Sequence, residues 1–219
     1  MTTFTSQAVR DALDFGERPD PAAGLFETIL VADGAAPLLD AQLERLAASA
    51  RALYGIDLSS PAGGMPPWGI PPGRMPPALP SGTGRLRVTF VPGGTPTIDH
   101  GPRGSDPSYS EVAAFVLPGG LGPHKWLDRR LLDAITVVAG ATALPLLIDD
   151  DGSVLESVMM NVLIEERGRL ISPPSDGRFR AGFGRRRLEY DEEPVDLDRL
   201  LAADALVLTS ALRVVRLAH

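Results

Sequence analysis

The chain has no cysteine, three histidines, few aromatic residues (5%) and a single lysine. Without cysteine there is neither a disulfide framework nor a thiolate site, and three scattered histidines do not make a transition-metal centre. No stretch approaches the ~20 consecutive apolar residues of a membrane span. The first twenty residues are polar and mixed in charge, with no apolar leader core. A formal net charge of −7 leaves no basic face for nucleic acid. Arg185, Arg186 and Arg187 are the densest basic run and are too few to reverse that. These absences predict a soluble cytoplasmic protein with no metal, no nucleic-acid partner and no membrane partner. What is present is ordinary for a globular chain: 44% hydrophobic and 22% charged residues, enough for one large domain or two small ones.

The lysine is more informative than its rarity suggests. Of 21 basic residues, 20 are arginine and only Lys125 is lysine. A composition rich in Ala, Gly, Pro and Arg explains arginine on the surface but not the one survivor. Arginine equals or betters lysine in ion pairs and phosphate contacts. It does not readily lose its proton and attack a carbonyl, as a desolvated lysine does in forming a Schiff base.

Leu25 to Val31 reads as a strand followed by an Asp33-Gly34 turn, and Asp40 as the cap of a helix from Ala41 to about Tyr54 that Gly55 stops. Residues 59–82 hold eight prolines and five glycines among 24 positions, which precludes helix and interior strand and predicts a solvated insertion. Strands follow at Arg85 to Val91 and Val112 to Leu117. The turn formers of 118–123 read as a hinge, and Trp126 to Gly140 as a helix. Further strands are expected at 145–148, 161–165 and 169–171. Gly182 to Tyr190 can start a helix, Asp196 to Ala203 forms a short one, and Ala205 to Thr209 is the closing strand. The expected architecture is α/β (α+β) in two domains: a smaller N-terminal α/β domain over 1–117 with the 59–82 insertion, the 118–123 hinge, and a C-terminal domain over 124–219.

Four features after the hinge belong together chemically. They are Lys125; Glu156 beyond a tight Asp151-Gly152 turn; the Gly182-Phe183-Gly184-Arg185 segment; and the hydroxyl pair Thr209-Ser210. Backbone N–H groups of a glycine-rich turn cradle an oxyanion, and the lack of side chains lets it approach closely. A nucleophilic lysine, an acid and a phosphate cradle are what pyridoxal phosphate asks of a protein, the acid serving to keep the pyridine nitrogen protonated.

The chain resembles the fold-type IV pyridoxal-phosphate enzymes, the class IV aminotransferases, which include branched-chain and D-amino-acid aminotransferases and 4-amino-4-deoxychorismate lyase. Gly24-Leu25-Phe26-Glu27-Thr28 resembles the opening motif "GDG-x-FET", and Leu43 to Ala50 the helix "HLxRLxxSA". His124-Lys125 matches the Schiff-base lysine, Asp151 to Val162 "DGxVxExxxxNhF", and Pro173-Pro174 through Arg185 "TPPxxxxILPGxTR". The chain departs from the family at Ala23, at Gln42 in place of histidine, and at Ala181 and Gly184 in place of proline and threonine. The resemblance implies two α/β domains with the cofactor between them and a homodimer. It also implies Lys125 as the catalytic residue, and Arg45, Lys125, Glu156, Phe183, Gly184, Thr209 and Ser210 around the cofactor. Thr28, Arg87 and Arg129 are candidate contacts to a small amino substrate.

Arg18-Pro19-Asp20-Pro21 leading into Leu25-Phe26-Glu27-Thr28 resembles the lyase half of fused synthase–lyase proteins. The expected activity is therefore conversion of 4-amino-4-deoxychorismate to 4-aminobenzoate and pyruvate in folate biosynthesis. A class IV aminotransferase acting on D- or branched-chain amino acids is the alternative, and a catalytically silent homologue acting as a binding partner is the second.

Overall fold

The computed structural model describes residues 18–58 and 82–218; the 59–82 insertion, except Gly82, and residues 1–17 therefore lie outside the described residues. The described chain forms mixed sheets with helices, in two compact units. One comprises residues 20–105 together with Lys125–Asp128. The other comprises Arg18, Pro19, 106–124 and 129–218.

The first unit is the antiparallel sheet β1 (Leu25–Val31), β2 (Gly84–Phe90) and β3 (Thr97–Pro102), in the order β1-β2-β3, with helix α1 (Leu39–Tyr54). Leu25, Ile29 and Val31 of β1 and Leu86, Val88 and Phe90 of β2 share one buried cluster with Leu39, Leu43, Leu46, Ala47 and Ala50 of α1. Strand period two and helical spacing thus meet in one core. Gly55 ends the helix in the left-handed region (φ 68°), its N–H returning to the Arg51 carbonyl. Asp40 is not the cap: the helix begins at Leu39, Leu38 caps it without a side-chain bond, and Asp40 sits in the first turn.

The second unit holds β4 (Glu111–Val116), β5 (Ala143–Ile148) and β6 (Val154–Ser157) in one sheet, with β4 and β5 parallel. A five-stranded sheet, in the order β11-β10-β7-β8-β9, contains β7 (Asn161–Glu166), β8 (Arg169–Ser172), β9 (Asp191–Glu192), β10 (Ala205–Thr209) and β11 (Val214–Ala218). Strand β5 is apolar and buried at every residue because both its faces are covered. Leu144, Leu146 and Ile148 join residues of the larger sheet, whereas Ala143 and Leu147 join Leu131, Leu132 and Ile135 of helix α2 (Arg130–Ala139). Helix α3 (Leu197–Ala202) is capped by the Asp196 carboxylate, which accepts from Arg199 N.

Several expectations need correction. The division falls at 105/106 rather than around 118–123, and Lys125–Asp128 belongs to the first unit. Trp126 to Arg129 is not helical. Phe26 N–H donates to the Lys125 carbonyl and Leu127 N–H to the Gly24 carbonyl, so this stretch is held extended against the free edge of β1. The 118–122 turn is tied down within its own unit: Gly119 N–H donates to Asp149, Gly122 N–H to the Arg178 carbonyl, and Arg18 to the carbonyls of Pro118 and Gly120. The helix expected from Gly182 is one short 3-10 turn, Phe183–Arg187, and β10 is followed by β11.

Candidate active site

In the first unit, the alternation of β1 divides the site residues between two faces. Glu27 is turned toward α1 and is 2% exposed. Its carboxylate accepts from Arg45 Nε at 2.7 Å and Nη2 at 2.9 Å, and Gln42 Nε2 lies 3.5 Å from Oε2. Gln42 also donates to the Thr28 carbonyl at 2.7 Å. Arg45, the expected phosphate ligand, is thus bound along one guanidinium edge to a buried acid.

Phe26 and Thr28 lie on the other face of β1, and Arg87 pairs directly across from Thr28. The Arg87 guanidinium carbon is 4.2 Å from the Phe26 ring centroid, and Lys125 Nζ is 4.7 Å from the same centroid. Two cations therefore share one aromatic ring. Arg87 Nε is buried and has no hydrogen-bond partner among the described residues. Burial and the neighbouring Arg85 charge pull the Arg87 guanidinium below its ordinary value, against the opposing effect of Asp99. In the second unit, burial likewise pushes the His124 imidazole below its usual value, favouring the neutral ring.

The second unit brings three of the four sequence features, Glu156, the 182–185 segment and Thr209-Ser210, together around Asn161. Asn161 opens β7 directly opposite Thr209 of β10, so the two side chains share a face. Asn161 Oδ1 accepts from Gly182 N at 2.5 Å, and its Nδ2 donates to the Arg180 carbonyl at 2.9 Å and to Glu156 Oε2 at 3.3 Å. Two residues on, Gly184 lies over Thr209 and Ser210. A Cβ at Gly184 would collide with the Ser210 carbonyl and come within 2.7 Å of Thr209 Oγ1; one at Gly182 would lie 2.5 Å from Asn161 Oδ1. The two glycines are therefore required by close approach to the sheet. Thr209 is fully buried and its hydroxyl has no hydrogen-bond partner among the described residues. Ser210 Oγ instead accepts from Leu212 N at 3.2 Å within a turn. Phe183 is buried beneath the Arg186 guanidinium, 4.4 Å away. Arg129 donates to the Val158 carbonyl at 2.8 Å.

Asn161, Glu27 and Gln42 carry much of this geometry and were not among the expected site residues. Their signal in the sequence is a polar residue at a position that strand or helix periodicity assigns to the core. No group of metal-ligating side chains occurs among the described residues, and no described helix is long and apolar enough to cross a membrane.

Residues 137–218 match the model of the family described as amino-transferase class IV. A hypothetical aminotransferase from Mycobacterium tuberculosis, in a form bound to pyridoxal phosphate, superposes over 90% of this chain and 80% of its own, with TM-score 0.67 and 22% identity. The chain has the class IV amino-transferase fold. A Haemophilus somnus protein provisionally named 4-amino-4-deoxychorismate lyase matches this fold at TM-score 0.66 and 17% identity, over 86% of this chain and 96% of its own. A fold IV transaminase from Curtobacterium pusillum gives 0.65 and 21%, over 89% and 78%. No curated protein sequence matches the chain. Lyases and transaminases share this fold, and identities below 25% do not choose between them. The matched segment contains Glu156, Asn161, Gly184 and Thr209, and the Mycobacterium tuberculosis structure of this fold holds pyridoxal phosphate. A carboxylate beside an amide donor, together with a buried, unpartnered hydroxyl beside a glycine backbone, fits that cofactor.

Proposed function

We propose that this chain is a pyridoxal-phosphate-dependent lyase that converts 4-amino-4-deoxychorismate to 4-aminobenzoate and pyruvate. The observation that carries the reading is the pairing of Lys125 and Arg87 on the Phe26 ring: an amine that can take a proton stands beside a guanidinium whose buried Nε lacks a partner. That combination suits a substrate bearing both an amine and a carboxylate. Lys125 Nζ takes the proton alpha to the substrate nitrogen. The C–O bond to the enolpyruvyl group then breaks with its electron pair, the ring becomes aromatic, and the released enol regains a proton as pyruvate. Bound pyridoxal phosphate supplies the electron sink for this step. Glu156 serves the pyridine nitrogen, and Thr209 with the 183–184 backbone serves the phosphate. Arg87 and Thr28 contact the substrate carboxylate.

The Arg18-Pro19-Asp20-Pro21 run supports the lyase over transamination. In this run Arg18 binds the carbonyls of Pro118 and Gly120, and Asp20 caps the turn before β1. A cytoplasmic homodimer accompanies this reading by family resemblance. The test is incubation with 4-amino-4-deoxychorismate and pyridoxal phosphate, following 4-aminobenzoate by its fluorescence. Release of 4-aminobenzoate and pyruvate in equal amounts is expected. Amino transfer from D- or branched-chain amino acids to a 2-oxo acid, without 4-aminobenzoate, would assign the transaminase instead.

A further inference from the structure

Asn161 is buried (3% exposed) and spends its amide on three groups in two segments. Its oxygen takes the Gly182 N–H, and its nitrogen reaches the Arg180 carbonyl and Glu156 Oε2. Only one orientation of the amide satisfies this set, because an N–H and two acceptors surround it. Gly182 has no side chain where Asn161 Oδ1 stands, so the loop is seated on this residue. Strand pairing fixes its position from the other side, with Asn161 opposite Thr209.

We propose that Asn161 is a positioning residue that couples the two ends of the cofactor site, holding the Glu156 carboxylate with one amide atom and the 180–184 loop with both. This rests on the cofactor roles proposed above for Glu156 and for the loop. The two functions separate by substitution. Asn161→Asp keeps an oxygen for the Gly182 N–H and replaces the donor that faces both Glu156 and the Arg180 carbonyl with a second acceptor. Asn161→Ala removes both.

The experiment has a cofactor-free arm and a cofactor arm. In the cofactor-free protein, the carbon-13 resonance of the Glu156 carboxyl, assigned by its loss in Glu156→Gln, shifts in Asn161→Asp. Inorganic phosphate binding weakens about tenfold in Asn161→Ala, which loses both contacts to the 180–184 loop, and less than that in Asn161→Asp, which keeps the Gly182 contact. With pyridoxal phosphate, both variants bind about tenfold more weakly, and the absorbance band of the bound cofactor moves in Asn161→Asp. An unmoved Glu156 resonance in Asn161→Asp overturns the proposal, as does equal phosphate binding by all three proteins. If Asn161→Ala does not fold, the Asn161→Asp resonance alone decides. A parent protein that binds no pyridoxal phosphate defeats the cofactor reading while leaving the resonance as the test of the linkage itself.

Discussion

Arg45 holds Glu27 through two parallel hydrogen bonds, Nε to Oε1 at 2.7 Å and Nη2 to Oε2 at 2.9 Å, with the acid almost wholly buried. Removing the arginine strands a charge in the core between β1 and α1. Arg45→Ala should cost about 3 kcal/mol, in the range for breaking a buried pair from one side. Urea unfolding checks this, and a midpoint unchanged from the parent would show that the pair contributes nothing net. Glu27→Gln should cost less, because the Arg45 guanidinium it releases is 19% exposed and reaches water.

Lys125→Arg keeps the charge beside Phe26 and loses the amine chemistry. It should form 4-aminobenzoate no faster than Lys125→Ala, and neither variant should retain cofactor after borohydride reduction. Peptide mapping of the parent should find the reduced cofactor on Lys125. Normal turnover by either variant sinks the proposed mechanism.

Glu156→Gln should keep bound cofactor and slow turnover by orders of magnitude, read as a loss in kcat with little change in KM. A near-parent rate means that Glu156 does not face the pyridine nitrogen.

Gly184→Ala drives a methyl into the Ser210 carbonyl and Thr209 Oγ1. The backbone must shift, at about 1–3 kcal/mol by the usual cost of overpacking. A lowered Tm is expected, together with weaker cofactor binding. A Tm equal to the parent's would show that the turn yields freely.

Acid should loosen the 118–122 turn. Asp149 is held well below the ordinary carboxylate range, first by the Arg178 guanidinium and next by the Gly119 N–H. A carboxyl whose folded pKa is depressed stabilises fully above its unfolded value, about 3.9, and progressively less as pH falls below it toward the folded value. Asp149→Asn should therefore be less stable than the parent at pH 7, and the gap should narrow below about pH 4. Urea midpoints across that range decide the matter, and a constant gap would contradict the assignment.

Local signals gave the elements with clear periodicity or capping. β1 runs from Leu25 to Val31 as its alternation predicts, and Asp196 caps α3. The strands left unread have weak patterns. β3 is Thr-Ile-Asp-His-Gly-Pro, mostly exposed, and β9 is only two residues long. The helix expected over 126–140 forms only from Arg130 to Ala139, for another reason: 125–128 takes its partners from residues about a hundred positions earlier, and no local pattern records them. At the site, Lys125 and Glu156 stand out in the sequence as candidates because the chemistry they offer is specific. Asn161, Glu27 and Gln42 do not, because a buried amide or acid becomes informative only when its partners are known.

The segment on Gly24 and Phe26 has a consequence for dividing the gene. A protein ending at residue 105 contains every strand of the first sheet and still lacks the piece that covers the outer edge of β1. Its backbone donors and acceptors at Gly24 and Phe26 would be open to the same edge of a second molecule. Such a fragment should self-associate, and adding back a peptide spanning 124–129 should suppress this. Lys125 is thus also part of the cover on a strand edge, so the placement of its amine and the solubility of the half that holds it depend on the same four residues.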